Sequence, residues 1–336
     1  MRGSIAMVEI TIIIPVYNGT NYLERTIKSL LRQTFKAFEI LCIDDGSTDN
    51  SYELLKELSN QDNRVRVFRK ENEGTASRAV SYGLQFASGN FFMYASQDDL
   101  FSIDLLENNI KRANESNLDA VIPNMKFYYD DVTASHFSYK NEEDTSLIIS
   151  GTEAFYLSLD WRIHGFVLWR MSIIKKVGFF TFNYNSDEYS TRIFYFNCKS
   201  VGFSDGIFYY RKDNPNAITM KWRPYLLDVF QTYDELLKFI VNKTLPSNTT
   251  KIINGLIQMD LIRVYLIYLR SKANIDKFES KRIESRFKTI YREKQYSFKD
   301  VDFRSNLKLK VINRICRVNY SIFKLFCCSY LKIKND

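Results

Sequence analysis

Two pairs of adjacent carboxylates, Asp44-Asp45 and Asp98-Asp99, each follow a short apolar run, and a third acidic pair, Asp187-Glu188, precedes a helical pattern. The run before Asp98 reads Phe91-Phe92-Met93-Tyr94-Ala95, with Ser96-Gln97 between. A near-continuous apolar run marks a strand buried on both faces, and ligands of open α/β sheets gather at the carboxyl ends of such strands. Paired acids there suit a hard cation and, through it, a phosphate-bearing substrate. Asp45, beside a Gly46-Ser47 turn, can accept an imide N–H such as that of a uracil ring, or can simply cap the turn. Asp44 reads as structural. Arg78 offers a planar fork suited to a phosphate or a uracil edge. Asp187 or Glu188 can take a hydroxyl proton or stabilise a helix dipole.

The elements that must position these groups alternate through the first third of the chain. Residues 9–16 form a β-branched run stopped by Pro15 and the Tyr17-Asn18-Gly19 turn. Residues 21–33 carry Leu23, Ile27, Leu30 and Leu31 at helical spacing. Strands follow at 38–43, 65–69 and 91–95, with helices ending near 58 and spanning 74–86. Strand–helix alternation with short loops predicts a mostly parallel sheet with right-handed crossovers. Parallel strands place their carboxyl ends together, so both Asp pairs emerge on one edge. Between 114 and 150 the pattern loosens, with Asp130-Asp131 and 141–144 as solvated loops. An ordered block spans 151–219, and helical patterns follow at 226–241, 250–271 and 283–294. There are no internal repeats.

The net charge of +8 over 336 residues is uneven. From Arg304 onward stand eight basic residues and one acid, a surplus of +7 that leaves +1 for everything before it. A general nucleic-acid surface is therefore not expected. In the tail, Lys310, Asn313, Arg317, Ser321 and Lys324 form a polar stripe, and Val311, Ile315, Val318, Ile322 and Leu325 an apolar one. Such a helix either packs its apolar face on the body or lies on an anionic membrane, and the scarcity of acids favours the membrane. Cys327 and Cys328 are possible acylation points. No stretch reads as an apolar membrane span, and no secretory signal precedes the first strand. Five cysteines without ligand spacing read as reduced thiols, and two histidines exclude a His-rich zinc site.

Four motifs carry a resemblance. Ile-Ile-Pro-Val-Tyr-Asn (13–18), Ile-Asp-Asp-Gly-Ser-Thr-Asp (43–49), Asn-Glu-Gly-Thr-Ala-Ser-Arg (72–78) and Ala-Ser-Gly-Asn (87–90) running into Gln-Asp-Asp resemble the family 2 glycosyltransferases. These are inverting enzymes of the GT-A fold, and the resemblance covers about 9–220. It implies a nucleotide-binding half at 9–113 and an acceptor-binding half at 114–220, with residues 1–8 a leader, 221–303 a helical region and 304–336 a basic amphipathic tail. It also implies a donor site of Pro15, Tyr17, Asp45, Arg78, Gln97 and Asp98, with Asp98 holding Mn²⁺ or Mg²⁺. The family's metal motif has two acids separated by one residue. Here Ser96 stands in place of the first acid, so Asp98 has less help. The general base is implied at Asp187, with Glu188 the alternative because the pair reads Asp-Glu rather than Glu-Asp. Trp161, His164 and Trp169 lie where the family reads acceptors, although aromatic residues fill cores more often and His164 reads better as structural. Residues 210–219 resemble a closing loop over the diphosphate. That loop's usual histidine is absent, with Lys212 or Asn214 as substitutes.

The expectation is an inverting, metal-dependent transferase that moves sugar from a nucleotide sugar, a UDP-sugar foremost, to a glycan or lipid-linked oligosaccharide. It would sit at the inner face of a bacterial membrane in surface-polysaccharide assembly. A sugar-nucleotide nucleotidyltransferase would show a Gly-rich basic loop after the first strand, which Pro15-Val16-Tyr17-Asn18 is not. A non-catalytic glycan-binding protein would accommodate Ser96, and donor turnover would exclude it.

Overall fold

The computed structural model describes residues 7–129, 132–137, 144–214, 222–294 and 307–335. Most of the expected leader, the Asp130-Asp131 pair, residues 141–143, the closing loop from Pro215 onward and the start of the basic tail lie outside the described residues. The chain divides into two compact units, Met1–Asn214 and Pro215–Asp336.

The first unit opens with β1 (Ile10–Val16), α1 (Leu23–Leu31), β2 (Phe38–Asp44), α2 (Ser51–Gln61), β3 (Val65–Arg69), α3 (Ala76–Gly83) and β4 (Phe91–Tyr94). Then come β5 (Leu100–Phe101), α4 (Leu105–Glu115), β6 (Ala120–Tyr129), β7 (Val132–Phe137), β8 (Ile148–Ser150), α5 (Gly151–Leu159), β9 (Leu168–Arg170), α6 (Met171–Val177), α7 (Ser186–Asn197) and β10 (Ser200–Arg211). One ten-stranded sheet runs β3-β2-β1-β4-β9-β6-β10-β5, with β7 against β6 and β8 against β10. Its first four strands are parallel, Ile10 lying opposite both Phe38 and Phe91. β9 and β5 run antiparallel to their neighbours, so the far half of the sheet is mixed. In β1 the side chains of Ile10, Ile12, Ile13 and Ile14 are all fully buried. This is the double-sided burial its sequence announced, contributing roughly 1.5–3 kcal/mol for each.

β6, ten residues long and central to the far half, has no counterpart in the sequence reading. Pro123 interrupts its apolar run and cannot donate to a ladder. The sheet tolerates it because β10 bulges opposite, its register slipping between Phe203 and Ile207.

At the amino edge of the sheet the Ser88-Gly89 motif has a structural role. Glu39 accepts bonds from Thr11 Oγ1, Ser88 N and Ser88 Oγ and pairs with Arg66. Against the cost of burial, these donors hold its carboxyl below the usual range. A Cβ on Gly89 would come within 2.6 Å of the Thr11 nitrogen, so only glycine allows this approach.

The second unit holds α8 (Asp228–Asn242), α9 (Ser247–Ser271), α10 (Lys277–Lys294), α11 (Leu307–Cys316) and α12 (Tyr320–Asn335). Its core is aromatic: Tyr265 and Tyr268 on α9 meet Phe287 on α10, and Tyr265 meets Phe323 on α12. Glu284 joins them as a hub, accepting from Tyr265, Tyr320, Lys272 and Lys324.

Two expectations are corrected here. The helix Ser247–Asn274 is long and apolar enough to cross a membrane by length and composition, contrary to the sequence reading, although 61% of its apolar window is buried in the fold. The tail is two helices rather than one stripe. Its packing face is Cys316, Tyr320, Phe323 and Cys327, while Val318, Ile322 and Leu325 are exposed. Cys327 is fully buried, which removes it as an acylation point. The charge also divides by unit: 23 bases against 28 acids leave the first at −5, and 24 against 11 leave the second at +13.

Candidate active site

The carboxyl edge of the parallel strands gathers the predicted donor residues. Leaving β1, the chain turns through Asn18 in a left-handed conformation (φ 50°), which asparagine tolerates. The Asn18 side-chain oxygen accepts from Thr48 N and Asp49 N, fastening this turn to the loop after β2. Gln97 clasps the other side, its Oε1 accepting from Tyr17 N at 3.0 Å and its Nε2 donating to Tyr17 O at 3.1 Å. Gln97 therefore sets the position of Tyr17, whose side chain is 47% exposed above the edge.

Asp45 is buried at the end of β2. Its Oδ1 pairs with Lys70 at 2.7 Å and accepts Glu73 N at 3.2 Å, while among the described residues Oδ2 takes no bond. Asp44, also buried, pairs with Arg69. Lys70 escaped sequence reasoning, although it sits one residue beyond β3, where the carboxyl-edge argument could have found it. Arg78 stands half-exposed on the first turn of α3, 3.9 Å from Glu73. That helix starts cleanly because Thr75 caps it, accepting from Arg78 N.

After β4 the chain is held from beneath by Arg211, the second residue missed. The Arg211 guanidinium is buried between the rings of Tyr22 and Tyr128, at 4.4 and 4.6 Å. Its Nε donates to Asp98 O, its Nη1 pairs with Asp213, and its backbone N–H reaches Asp99. Asp99 also accepts from Ser96 N. Burial, with the Asp98 charge beside it, pushes Asp99 up to about 8. Asp98 is raised by burial and partly offset by Asn214, whose amide donates to Asp98 Oδ2 at 2.7 Å. Lys212 lies 4.6 Å from the rings of Phe127 and Tyr210, lowered by burial.

No group of three His, Cys, Asp or Glu side chains arranged for a metal occurs among the described residues. The donor set at Asp98 is one carboxylate with a neighbouring carboxamide. It fits a small hard cation that keeps waters and takes further oxygens from a bound diphosphate, and it does not fit an all-protein cage.

α7 brings the third acid pair to the same place. The helix begins at Ser186, so Asp187 and Glu188 lie in its first turn. Burial, then the charges of Asp187 and Asp99, raises the Tyr94 hydroxyl, and Tyr210 is likewise raised by burial and then by Asp99, Asp98, Glu188 and Asp187. One acid of each pair thus acts on Tyr94, and all four act on Tyr210. The acids nevertheless differ. Glu188 pairs with Arg192 at 2.6 Å. Among the described residues Asp187 accepts backbone N–H groups of the helix start, and burial, then Glu188, push it up to about 7.

Of the aromatic acceptor candidates, Trp161 is 43% exposed and lies 5.7 Å from the Arg192 guanidinium. Trp169 is corrected: it is 1% exposed, packed edge-on against Phe194 and Tyr195. His164 takes a structural place rather than an acceptor contact. It is buried, its Nε2 bonding Pro123 O and its Nδ1 accepting Phe166 N, and burial lowers it to about 4.

The family model described as Glycosyl transferase family 2 matches residues 11–213. Glycosyltransferase GlyG of Streptococcus pneumoniae is 28% identical over 235 residues, 66% of this chain and 78% of that protein. An uncharacterized glycosyltransferase of Rickettsia typhi is 36% identical over 51% of this chain and 53% of its own length. Among solved structures, S. aureus TarS 1–349 in complex with UDP-GlcNAc superposes with a TM-score of 0.68 at 16% identity, covering 97% of this chain and 92% of that one. The mannosyltransferase PcManGT from Pyrobaculum calidifontis, in complex with GDP-Man and Mn²⁺, gives a TM-score of 0.50 at 13% identity, covering 91% and 87%.

Proposed function

The chain belongs to glycosyl transferase family 2, and from that premise we propose that it is an inverting transferase moving a sugar from a UDP-sugar to a hydroxyl of a glycan acceptor. One observation carries the reading: Asp98, beyond the end of parallel strand β4, and Asp187, at the start of α7, both act on Tyr210, and burial, then Glu188, raises Asp187 to about 7. A carboxylate tuned near neutrality is what a general base requires.

In this reading Pro15 and Tyr17 line the nucleotide base, Asp45 accepts its imide N–H through Oδ2, and Arg78 reaches the donor. Gln97 keeps Tyr17 in place. Asp98 would hold Mg²⁺ or Mn²⁺ against the diphosphate, where the cation supplies charge neutralisation for the departing nucleoside diphosphate. Asp187 takes the proton of the acceptor hydroxyl as its oxygen bonds the anomeric carbon. The carbon–oxygen bond to the diphosphate breaks on the opposite face, which inverts the centre. Trp161 offers an exposed ring for the acceptor. UDP-GlcNAc in the TarS neighbour and Mn²⁺ in PcManGT support the donor class and the metal.

The acceptor is assigned to a lipid-linked glycan of surface-polysaccharide assembly, with the enzyme peripheral on the inner face of the membrane. The +13 charge of the second unit and its exposed Val318, Ile322 and Leu325 support that placement. The deciding experiment screens nucleotide sugars for Mn²⁺-dependent donor hydrolysis, with Asp98→Ala and Asp187→Ala alongside. Turnover of one donor, lost in Asp98→Ala, is expected. Absence of binding and turnover for every donor would sink the reading.

A further inference from the structure

The first unit holds a cavity of about 420 Å³, lined by none of the acids of the candidate site, that the proposed reaction leaves unused. α1 and its C-cap contribute Arg25, Lys28 and Arg32 at three- and four-residue steps. Tyr128 and Tyr209 line the cavity too, with Leu100 and Phe101, which directly follow the acid pair in sequence. No carboxylate lines the cavity among the described residues.

Three cations converge here on a unit whose net charge is −5. Lys28 pairs with Glu24 on the solvent side, both half-exposed, an attachment of small worth. Arg25, which also lines the cavity, donates to the Tyr128 hydroxyl at 2.8 Å. The same Tyr128 ring stacks on Arg211, which bonds the Asp98 carbonyl. The cationic wall is thus fixed to the scaffold of the candidate active site while lying outside it.

We propose that this cavity is a phosphate-binding subsite, separate from the place of the donor diphosphate. Two guanidinium forks and an ammonium ion on α1 and its C-cap suit phosphate oxygens. The tyrosine rings that line it suit a sugar carried beside the phosphate. The ligand is a phosphate group, free or strung along an acceptor chain.

Site-resolved modification tests this without any turnover. The full-length protein is treated with phenylglyoxal at constant ionic strength, and each arginine is followed by peptide mass spectrometry. Inorganic phosphate or tripolyphosphate is expected to slow modification of Arg25 and Arg32 by about tenfold, leaving exposed Arg314 unchanged. Saturating UDP should give no such protection, and Lys28→Glu should remove most of it. Stronger protection by tripolyphosphate than by phosphate assigns the subsite to phosphates in a chain, and equal protection assigns it to the free ion. Unchanged rates at Arg25 and Arg32, or equal protection by UDP, overturn the proposal. Because the readout needs no donor turnover, its failure is distinct from failure of the transferase reading.

Discussion

Asp187 and Glu188 are neighbours in sequence and opposites in circumstance. Arg192 neutralises Glu188, whereas half-buried Asp187 accepts backbone donors and is pushed up to about 7. Asp187→Asn should therefore lower kcat by about 10² to 10⁴ with nucleotide binding retained, and Glu188→Gln should lower it far less. Steady-state kinetics beside UDP titration measures both, and the reverse order would move the base to Glu188. The raised value fixes the pH dependence. The base must be ionised, so kcat/KM should climb about tenfold per pH unit below 7 and flatten above it. The same shift has a stability consequence of opposite sense. A carboxyl bound more tightly to its proton in the folded state stabilises fully at acid pH, and that contribution is lost as pH rises from near 4 to about 7. Asp187→Asn should then raise Tm relative to wild type at pH 8 and change it little at pH 4, as thermal melts at the two pH values would read.

At the scale of elements, the site depends on where α7 begins and on what leans against it. The first residue of α5, Gly151, faces the end of α7 so closely that a Cβ would meet Cys198 O at 2.0 Å and Tyr195 O at 2.4 Å. Backbone cannot yield as a flexible side chain would, so Gly151→Ala should cost about 1–3 kcal/mol and reduce kcat by displacing Asp187. A variant with wild-type Tm and kcat would refute this coupling. His164 performs a similar service for β6. His164→Phe leaves Pro123 O and Phe166 N unpaired, at a cost of about 1–3 kcal/mol at pH 7. Because burial lowers His164 to about 4, its contribution is present above pH 6.5 and fades as pH falls toward 4. The wild-type and variant denaturation midpoints should therefore converge in acid. These two elements also mark where sequence reading stopped. β1 to β4 were legible to within a residue or two, since each carries its own apolar run. β6 was not, because Pro123, Asn124 and Lys126 break its pattern and its bulged partner lies some eighty residues away. The donor edge was legible because parallel strands bring their carboxyl ends together. Lys70, one residue past β3, was within reach of the same edge argument; Arg211 was not, because its partners are set by tertiary contact, and nothing in its spacing marked Trp169 as core rather than surface.

For the whole molecule, the division of charge governs more than the pattern of the tail alone. The sequence placed the basic surplus after Arg304, yet the unit boundary puts +13 on everything from Pro215 onward and −5 before it. The apolar stripe predicted to lie on a membrane is in part what the fold leaves exposed, at Val318, Ile322 and Leu325, because Phe323 and Cys327 on the other side of α12 fill the core. Exposed Arg314 and Arg317 flank the turn into that helix. Such a surface joins apolar insertion to electrostatic attraction, and near an anionic bilayer each cation contributes about 1 kcal/mol. Cosedimentation of the full-length protein with phosphatidylglycerol vesicles should thus be strong at low salt, weaken with added salt, and nearly vanish with phosphatidylcholine. Ile322→Glu/Leu325→Glu should reduce binding by about tenfold or more while Tm stays unchanged, since neither side chain supports the core. Undiminished vesicle binding by that variant would leave general electrostatics as the whole interaction and remove the amphipathic helix from it. Binding to neither lipid would place the acceptor in solution and detach the enzyme from the membrane.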